Sequence, residues 1–226
     1  MRQYTAEKYI ELVENIDDET LQAHMRSETE VISKVENSKN KTFIDLGAGH
    51  GRIFPHLVKI ARNVISIELN LDMLAELKRR SLGYKNAIVI KGDIQNLSDL
   101  LTKTNIKNPV LLLLQNTLGT IEGDYKKVLS EMKSVAEKYQ GEIIISLFRQ
   151  ESLRNWGLKL YSKVKGIVGD PDLQKTDFNK GIFVSKTGYM AKWWNSDEIK
   201  QIKDFFGGKI ANEVFTPKFC VIRIKI

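Results

Sequence analysis

Cysteine is almost missing from this sequence: Cys220 is the only one, set in the apolar run Phe219-Cys220-Val221-Ile222. One thiol can form neither an intrachain disulfide nor a cysteine-rich metal site, which makes a reducing cytoplasm the expected location. Histidine is scarce too. His24, His50 and His56 stand at no metal-ligating spacing, so no metal is expected. No apolar stretch approaches the ~20 residues that span a bilayer, and the charged segment Met1 to Glu19 lacks the apolar core of a secretion signal. A soluble protein with no membrane partner is the expectation. Internal repeats and low-complexity stretches are absent as well.

What is present is enough chain for one elaborated α/β domain with a full core, and too little for two ordinary ones: 226 residues. The formal charge of +7 invites a nucleic-acid reading, because lysine and arginine gain from releasing phosphate counterions. The lysines are scattered, however, and the densest group, Lys78-Arg79-Arg80, falls at the end of an expected helix, where positive charge meets the macrodipole favourably. A solvated basic surface and a nucleic-acid face both remain open.

Helical spacing of apolar residues predicts two helices within residues 5–36, carried by Tyr9, Leu12, Val13 and Ile16 and then by Leu21, Met25, Val31, Ile32 and Val35. From there strand and helix alternate: strands at 42–46, 64–68, 87–91, 110–115 and 142–147, with helices at 53–62, 71–81 and 122–138 and a short helical or loop segment at 96–104. Such alternation predicts a parallel sheet wrapped by helices. Beyond it come a helix at 150–163, a turn-rich stretch Gly166–Asp172 and a hairpin at 181–194 that no βαβ unit requires. Ser196-Asp197-Glu198 reads as the cap of a helix ending at Gly207-Gly208, and strands 209–215 and 218–226 across Pro217 must run antiparallel.

The most informative stretch is Phe43-Ile44-Asp45-Leu46-Gly47-Ala48-Gly49-His50-Gly51-Arg52, a buried strand that stops in a glycine turn and opens a helix. Glycines there let backbone approach a ligand with no side chain in the way. A nicotinamide dinucleotide enzyme would place its third glycine where Arg52 stands, which argues against an oxidoreductase. A second strand ends in Glu68, 23 residues after Asp45, near the ~20-residue spacing at which an acid reaches a ribose.

Four segments in order, Asp45-x-Gly-x-Gly-x-Gly, Ile65–Asn70, Ala87–Ile94 and Val110–Gly119, together resemble the class I S-adenosylmethionine-dependent methyltransferases. The likeness is good over roughly residues 42–148 and holds in outline elsewhere. It implies an α/β, doubly wound, seven-stranded, mostly parallel sheet with a terminal antiparallel strand: the Rossmann-like methyltransferase fold. It also divides a single domain into a helical cap (1–40), a cofactor-binding core (41–148), a helix with an inserted lid (149–195) and a terminal helix with an antiparallel strand pair (196–226). The implied cofactor is S-adenosylmethionine, with S-adenosylhomocysteine as product. Its implied contacts are Asp45, Gly47, Ala48, Gly49, Gly51 and Arg52 at the turn, Glu68 and Leu69 at the ribose, Asp93 and Ile94 at the adenine, and Gln115 after the fourth strand. Arg26 is a further candidate for the ligand carboxylate.

Methyl transfer from a sulfonium asks the protein mainly to position, with a base or carbonyl to take a proton where the acceptor carries one. Asn116 is the candidate catalytic residue, because its amide carbonyl could accept from an acceptor N–H. Arg149, Tyr189 and Trp193 are candidates to face the substrate, with Trp194 as a possible part of the same aromatic wall. The Asn/Asp-Pro-Pro-Tyr motif of many nucleic-acid amino-methyltransferases is missing. The expected acceptor is therefore a small molecule, with RNA or protein acceptors as the alternative and a non-catalytic binding protein of the same fold as the rival class.

Overall fold

Apolar runs spaced by amphipathic segments can bury both faces of a sheet only if helices cover it, and the chain folds accordingly. A computed structural model describes residues 5–226; the first four residues of the expected N-terminal cap lie outside the described residues. The helices are α1 (Ala6–Tyr9, continued by a π turn over Ile10–Glu14), α2 (Glu19–Ser33), α3 (Phe54–Ile60), α4 (Leu71–Ser81), α5 (Leu97–Leu100), α6 (Tyr125–Tyr139), α7 (Leu158–Lys163), α8 (Lys165–Val168) and α9 (Ser196–Phe206). The strands are β1 (Thr42–Leu46), β2 (Asn63–Glu68), β3 (Ala87–Lys91), β4 (Val110–Leu113), β5 (Glu142–Phe148), β6 (Ile182–Val184), β7 (Met190–Lys192), β8 (Lys209–Phe215) and β9 (Phe219–Lys225).

Seven strands form one sheet in the order β3-β2-β1-β4-β5-β9-β8, and β6 pairs with β7 in a separate hairpin. The pairings among β1 to β5 are all parallel, while β9 lies antiparallel to both β5 and β8. The chain builds outward from β1 to β3, then returns to place β4 on the other side of β1, with Phe43 opposite Val110 and Asp45 opposite Leu112. That reversal opens a crevice beyond the carboxyl ends of β1 and β4, the place where open α/β sheets bind ligands.

Alternate strand residues feed two cores. Phe43, Val64, Leu112 and Ile144 pack with α2, α3 and the 153–168 helices; Ile44, Ile65, Leu111 and Ile145 pack with α6 and α9. Cys220 is fully buried in β9, where burial pushes its thiol pKa up to about 12, so it is an inert core residue. Expected and observed elements agree closely, with two refinements. The cap of α9 is Asn195, whose side chain accepts from Glu198 N at 2.9 Å while Glu198 accepts from Asn195 N at 3.0 Å. In the expected turn-rich stretch, Lys165–Val168 forms one helical turn before Gly169, at φ +87°, breaks it. Among the described residues no helix is long and apolar enough to cross a membrane.

Candidate functional site

The crevice has a volume of about 760 Å³, within the range typical of small-ligand sites. Its floor is the glycine turn. Gly47 N and Ala48 N both donate to Ile67 O at 3.0 Å, tying the turn to β2. The three glycines have separate reasons to lack a side chain. At Gly47 a Cβ would lie 2.9 Å from Thr117 Cγ2, and at Gly51 one would lie 2.7 Å from Leu77 Cδ1. At Gly49, with φ +58°, a Cβ would meet nothing within 4 Å, because that position opens on the crevice. Gly51 does not line the crevice, which corrects its place among the expected cofactor contacts: it is a packing glycine that lets α4 approach the turn.

β2 delivers Glu68 to the adjoining wall. Its Oε2 accepts from Gly49 N at 2.7 Å, and its Oε1 accepts from Leu69 N at 2.8 Å and Asn70 N at 2.7 Å. Of roughly four carboxylate lone-pair directions, three are filled by backbone, and one at Oε2 is left. Past β3, Asp93 caps a 3-10 turn by accepting from Gln95 N at 2.9 Å. Asp93, Ile94 and Leu69 all line the crevice together with Glu68.

Under the turn lies a buried charge cluster. Glu28 of α2 is fully buried and pairs with Arg52, and it also accepts from Gln115 N at 2.6 Å and from the Ser146 hydroxyl. Burial disfavours its charge, yet Arg52, His24, Ser146 and Gln115 outweigh that penalty and hold its pKa below the usual carboxylate range. Arg52 lines the crevice, but its guanidinium is tied to Glu28. Asp45 is also buried, and among the described residues its Oδ2 has no hydrogen-bond partner. Burial pushes the Asp45 pKa up to about 7; Arg52 opposes this shift while Glu28 and Glu68 add to it. Arg26 is exposed and lines a different groove on the outer side of α2, beside Met25 and Thr29, so it does not reach this site.

The remaining walls come from far along the chain. Tyr9 of α1 donates its hydroxyl to Gln115 Oε1 at 3.1 Å, and its ring lies 5.5 Å from that of His50. Gly188, Tyr189 and Met190 of the β6–β7 hairpin complete the mouth, and Tyr189 thus stands where a substrate-facing residue was expected.

Four expected site residues are placed elsewhere. Asn116, which adopts φ +56°, is buried and spends its amide on structure: Nδ2 donates to Lys192 O at 3.0 Å, and Oδ1 accepts from Phe148 N at 3.2 Å and Trp194 Nε1 at 3.1 Å. It pins the hairpin to β5 and does not line the crevice, so it is not the catalytic acceptor. Trp193 is fully buried, donates to the Tyr161 hydroxyl at 2.8 Å and packs on Phe148 and Trp156. Trp194 is equally buried, against Tyr125. Arg149 is held by Thr216 O, Glu151 and Ser196 and lies over the Phe215 ring, away from the crevice. Missed by sequence reasoning were Glu28 and Glu14, whose carboxylate meets His50 Nε2 at 2.6 Å. Glu28 alone left a trace, as an acid on the apolar side of α2 between Met25 and Val31. Among the described residues no group of three or more His, Cys, Asp or Glu is placed to hold a metal ion.

A family model described as a methyltransferase domain matches residues 37–204. Among curated proteins, an rRNA adenine N-6-methyltransferase of Bacteroides fragilis is 28% identical over 133 residues, covering 59% of this chain and 46% of that protein. Ribosomal RNA small subunit methyltransferase A of Clostridium botulinum is 28% identical over 123 residues, 50% of this chain and 45% of that one. The chain thus spans less than half the length of the curated relatives it matches. Among solved structures, the CcbJ methyltransferase from Streptomyces caelestis superposes with a TM-score of 0.65 at 13% identity, covering 100% of this chain and 99% of its own. The 1,6-didemethyltoxoflavin-N1-methyltransferase of Burkholderia thailandensis, solved with 1,6-didemethyltoxoflavin and S-adenosylhomocysteine, gives 0.60 at 11% identity over 97% and 86% of the two chains. At these identities the superpositions speak to the fold alone.

Proposed function

The chain belongs to the family of the methyltransferase domain, and on that premise we propose that it is a class I S-adenosylmethionine-dependent member, which moves the methyl group of S-adenosylmethionine to a nitrogen or oxygen of a small molecule in a reducing compartment such as the cytoplasm. The observation that carries this reading is the crevice wall at the β1–β4 reversal. There the open approach at Gly49, the remaining lone pair of Glu68 and the unpartnered Asp45 oxygen lie along one ligand-sized cavity. These residues fit the donor: bare backbone for close approach, a buried carboxylate oxygen for an ammonium, and a fixed carboxylate for a ribose hydroxyl. When bound, the donor supplies a methyl group on a positively charged sulfur, so the chain's own residues need to hold and exclude rather than attack. Asp93 and Ile94 line the same crevice and would meet the adenine. Arg52, already balanced by Glu28, keeps positive charge beside Asp45.

Two observations favour a small acceptor. Tyr9 and the Gly188–Met190 hairpin tip add walls to the crevice, and β4 runs into Gln115-Asn116-Thr117-Leu118 rather than Asn/Asp-Pro-Pro-Tyr. The second reading, an RNA acceptor, is favoured by the rRNA-methylating relatives and the charge of +7. Calorimetry with S-adenosylhomocysteine tests the common part of both; no detectable heat of binding overturns it. Tritiated S-adenosylmethionine offered with a small-molecule panel and with total RNA separates the two acceptors, and label in RNA that persists in moderate salt would displace the small-molecule reading.

A further inference from the structure

On the methyl-transfer reading, an acceptor atom that carries hydrogen must lose it, and the crevice holds one imidazole able to take the proton. His50 sits inside the glycine turn, 1% exposed, and lines the crevice. Among the described residues its ring is hydrogen-bonded at Nε2 alone, to Glu14 Oε2 at 2.6 Å. Glu14 ends the π turn that follows α1, so it comes to the site on the same segment as Tyr9, whose ring flanks the imidazole. Three of the other acids are committed: Glu68 holds three backbone N–H groups, Asp93 caps its own turn and Glu28 is paired with Arg52; Asp45, whose Oδ2 has no partner among the described residues, is the acid left for the ligand's ammonium on the proposed reading. Neither other histidine lines the crevice: His24 is packed between Phe148 and Phe219, and His56 contacts Ser33 on the outside.

We propose that His50 and Glu14 form a proton-accepting pair, in which Nδ1 of His50 takes the acceptor's proton and Glu14 acts as the positioning residue that fixes the ring. The step balances. The acceptor lone pair forms the new bond to the methyl carbon, the carbon–sulfur electrons return to sulfur, and the acceptor proton passes to Nδ1. The resulting imidazolium is neutralised by the Glu14 carboxylate until solvent takes the proton. The charged and titratable groups facing His50 are Glu14, Arg80, Arg52 and Tyr9. Burial, with help from Arg80 and Arg52, outweighs Glu14 and holds the ring below the ordinary histidine pKa, so it is neutral and basic at pH 7. Because Glu14 rides on the N-terminal segment, the pair exists only while that segment lies against the crevice.

The test uses the full chain. Long-range proton–nitrogen correlation spectra of the three histidines, assigned with His50→Gln, are expected to show His50 at pH 7 as the neutral tautomer with hydrogen on Nε2, altered in Glu14→Gln. Hydrogen on Nδ1, or an imidazolium persisting above pH 8, overturns the proposal without an acceptor being known. With tritiated S-adenosylmethionine and a panel of small amines and phenols, His50→Gln is expected to slow transfer about 100-fold or more while S-adenosylhomocysteine affinity by calorimetry is unchanged. Glu14→Gln should move the acidic limb of the rate profile to lower pH, and Glu14→Asp should restore it. Wild-type transfer rates in His50→Gln, or an affinity loss matching the rate loss, overturn the pair. Failure of the wild type to bind S-adenosylhomocysteine sinks the methyl-transfer reading itself. If the wild type binds but methylates none of the panel, the tautomer measurement decides the pair alone.

Discussion

Glu68→Gln separates the two duties of one carboxylate. The wild-type side chain accepts three backbone N–H groups, one at Oε2 and two at Oε1, and has a single lone pair left for a ribose hydroxyl. A glutamine amide has only one acceptor atom. If its NH₂ takes the Oε2 position, Gly49 N–H loses its partner; if it takes the Oε1 position, Leu69 and Asn70 N–H lose theirs. At least one part-buried donor is orphaned either way, costing about 1 kcal/mol, the low end of the range for an unsatisfied group. For a chain of this size that lowers the melting temperature by roughly 2–4 °C per kcal/mol. Affinity for S-adenosylhomocysteine falls separately, because one charge-assisted hydrogen bond of about 1.5–3 kcal/mol is lost. At 1.4 kcal/mol per tenfold, the loss is about 10- to 100-fold. Differential scanning fluorimetry and calorimetry read the two effects. A lowered melting temperature with unchanged affinity would confine Glu68 to shaping the turn and refute its role at the ribose; no change in either would refute the hydrogen-bond geometry as well.

Gly49→Val should abolish measurable S-adenosylhomocysteine binding, because a branched side chain would fill the crevice floor; the strain of φ +58° adds about 1–2 kcal/mol of destabilisation visible in a thermal melt. Asn116→Ala leaves Trp194 Nε1 and Phe148 N without an acceptor, so it should cost about 2–4 kcal/mol in urea denaturation while S-adenosylhomocysteine affinity of the folded fraction stays at wild type. Glu28→Ala strands the buried Arg52 charge and should destabilise by about 3–5 kcal/mol in the same measurement. The Asp45 pKa is raised in the folded state, so this residue's contribution to stability is full at low pH and is lost as pH rises through about 7. Asp45→Asn should therefore raise the melting temperature at pH 8 far more than at pH 5, whereas wild-type affinity for the ligand's ammonium should weaken as pH falls below 7.

Backbone-driven features were legible in the sequence, and side-chain destinations were not. The glycine turn, the run of β1 and the acid ending β2 depend on local conformation and strand period, and they fall where the sequence puts them. Tyr189, expected to face a substrate, lies at the crevice because the β6–β7 hairpin carries it there. Asn116 misled because its position after β4 is the active-site edge, yet its φ of +56° turns the amide back toward β5 and the hairpin. Trp193 and Trp194 look like an exposed aromatic pair, but alternate residues point to opposite faces, and here core lies on both sides. The partners of Glu14 and Glu28 could not be read: each meets its partner across more than twenty residues of chain, His50 at separation 36 and Arg52 at separation 24.

The antiparallel strand β9 lies between β5 and β8, and β8 touches the sheet only through it. During synthesis, β1 to β5 can pair as they leave the ribosome, but the free margin of β5, buried on both faces in the finished fold, has no neighbour until residues 219–225 arrive. An uncovered hydrophobic margin of this kind is a template for mispairing. The nascent polypeptide therefore carries this risk from the moment β5 emerges until β9 pairs with it, and a variant lacking residues 219–225 would keep it permanently.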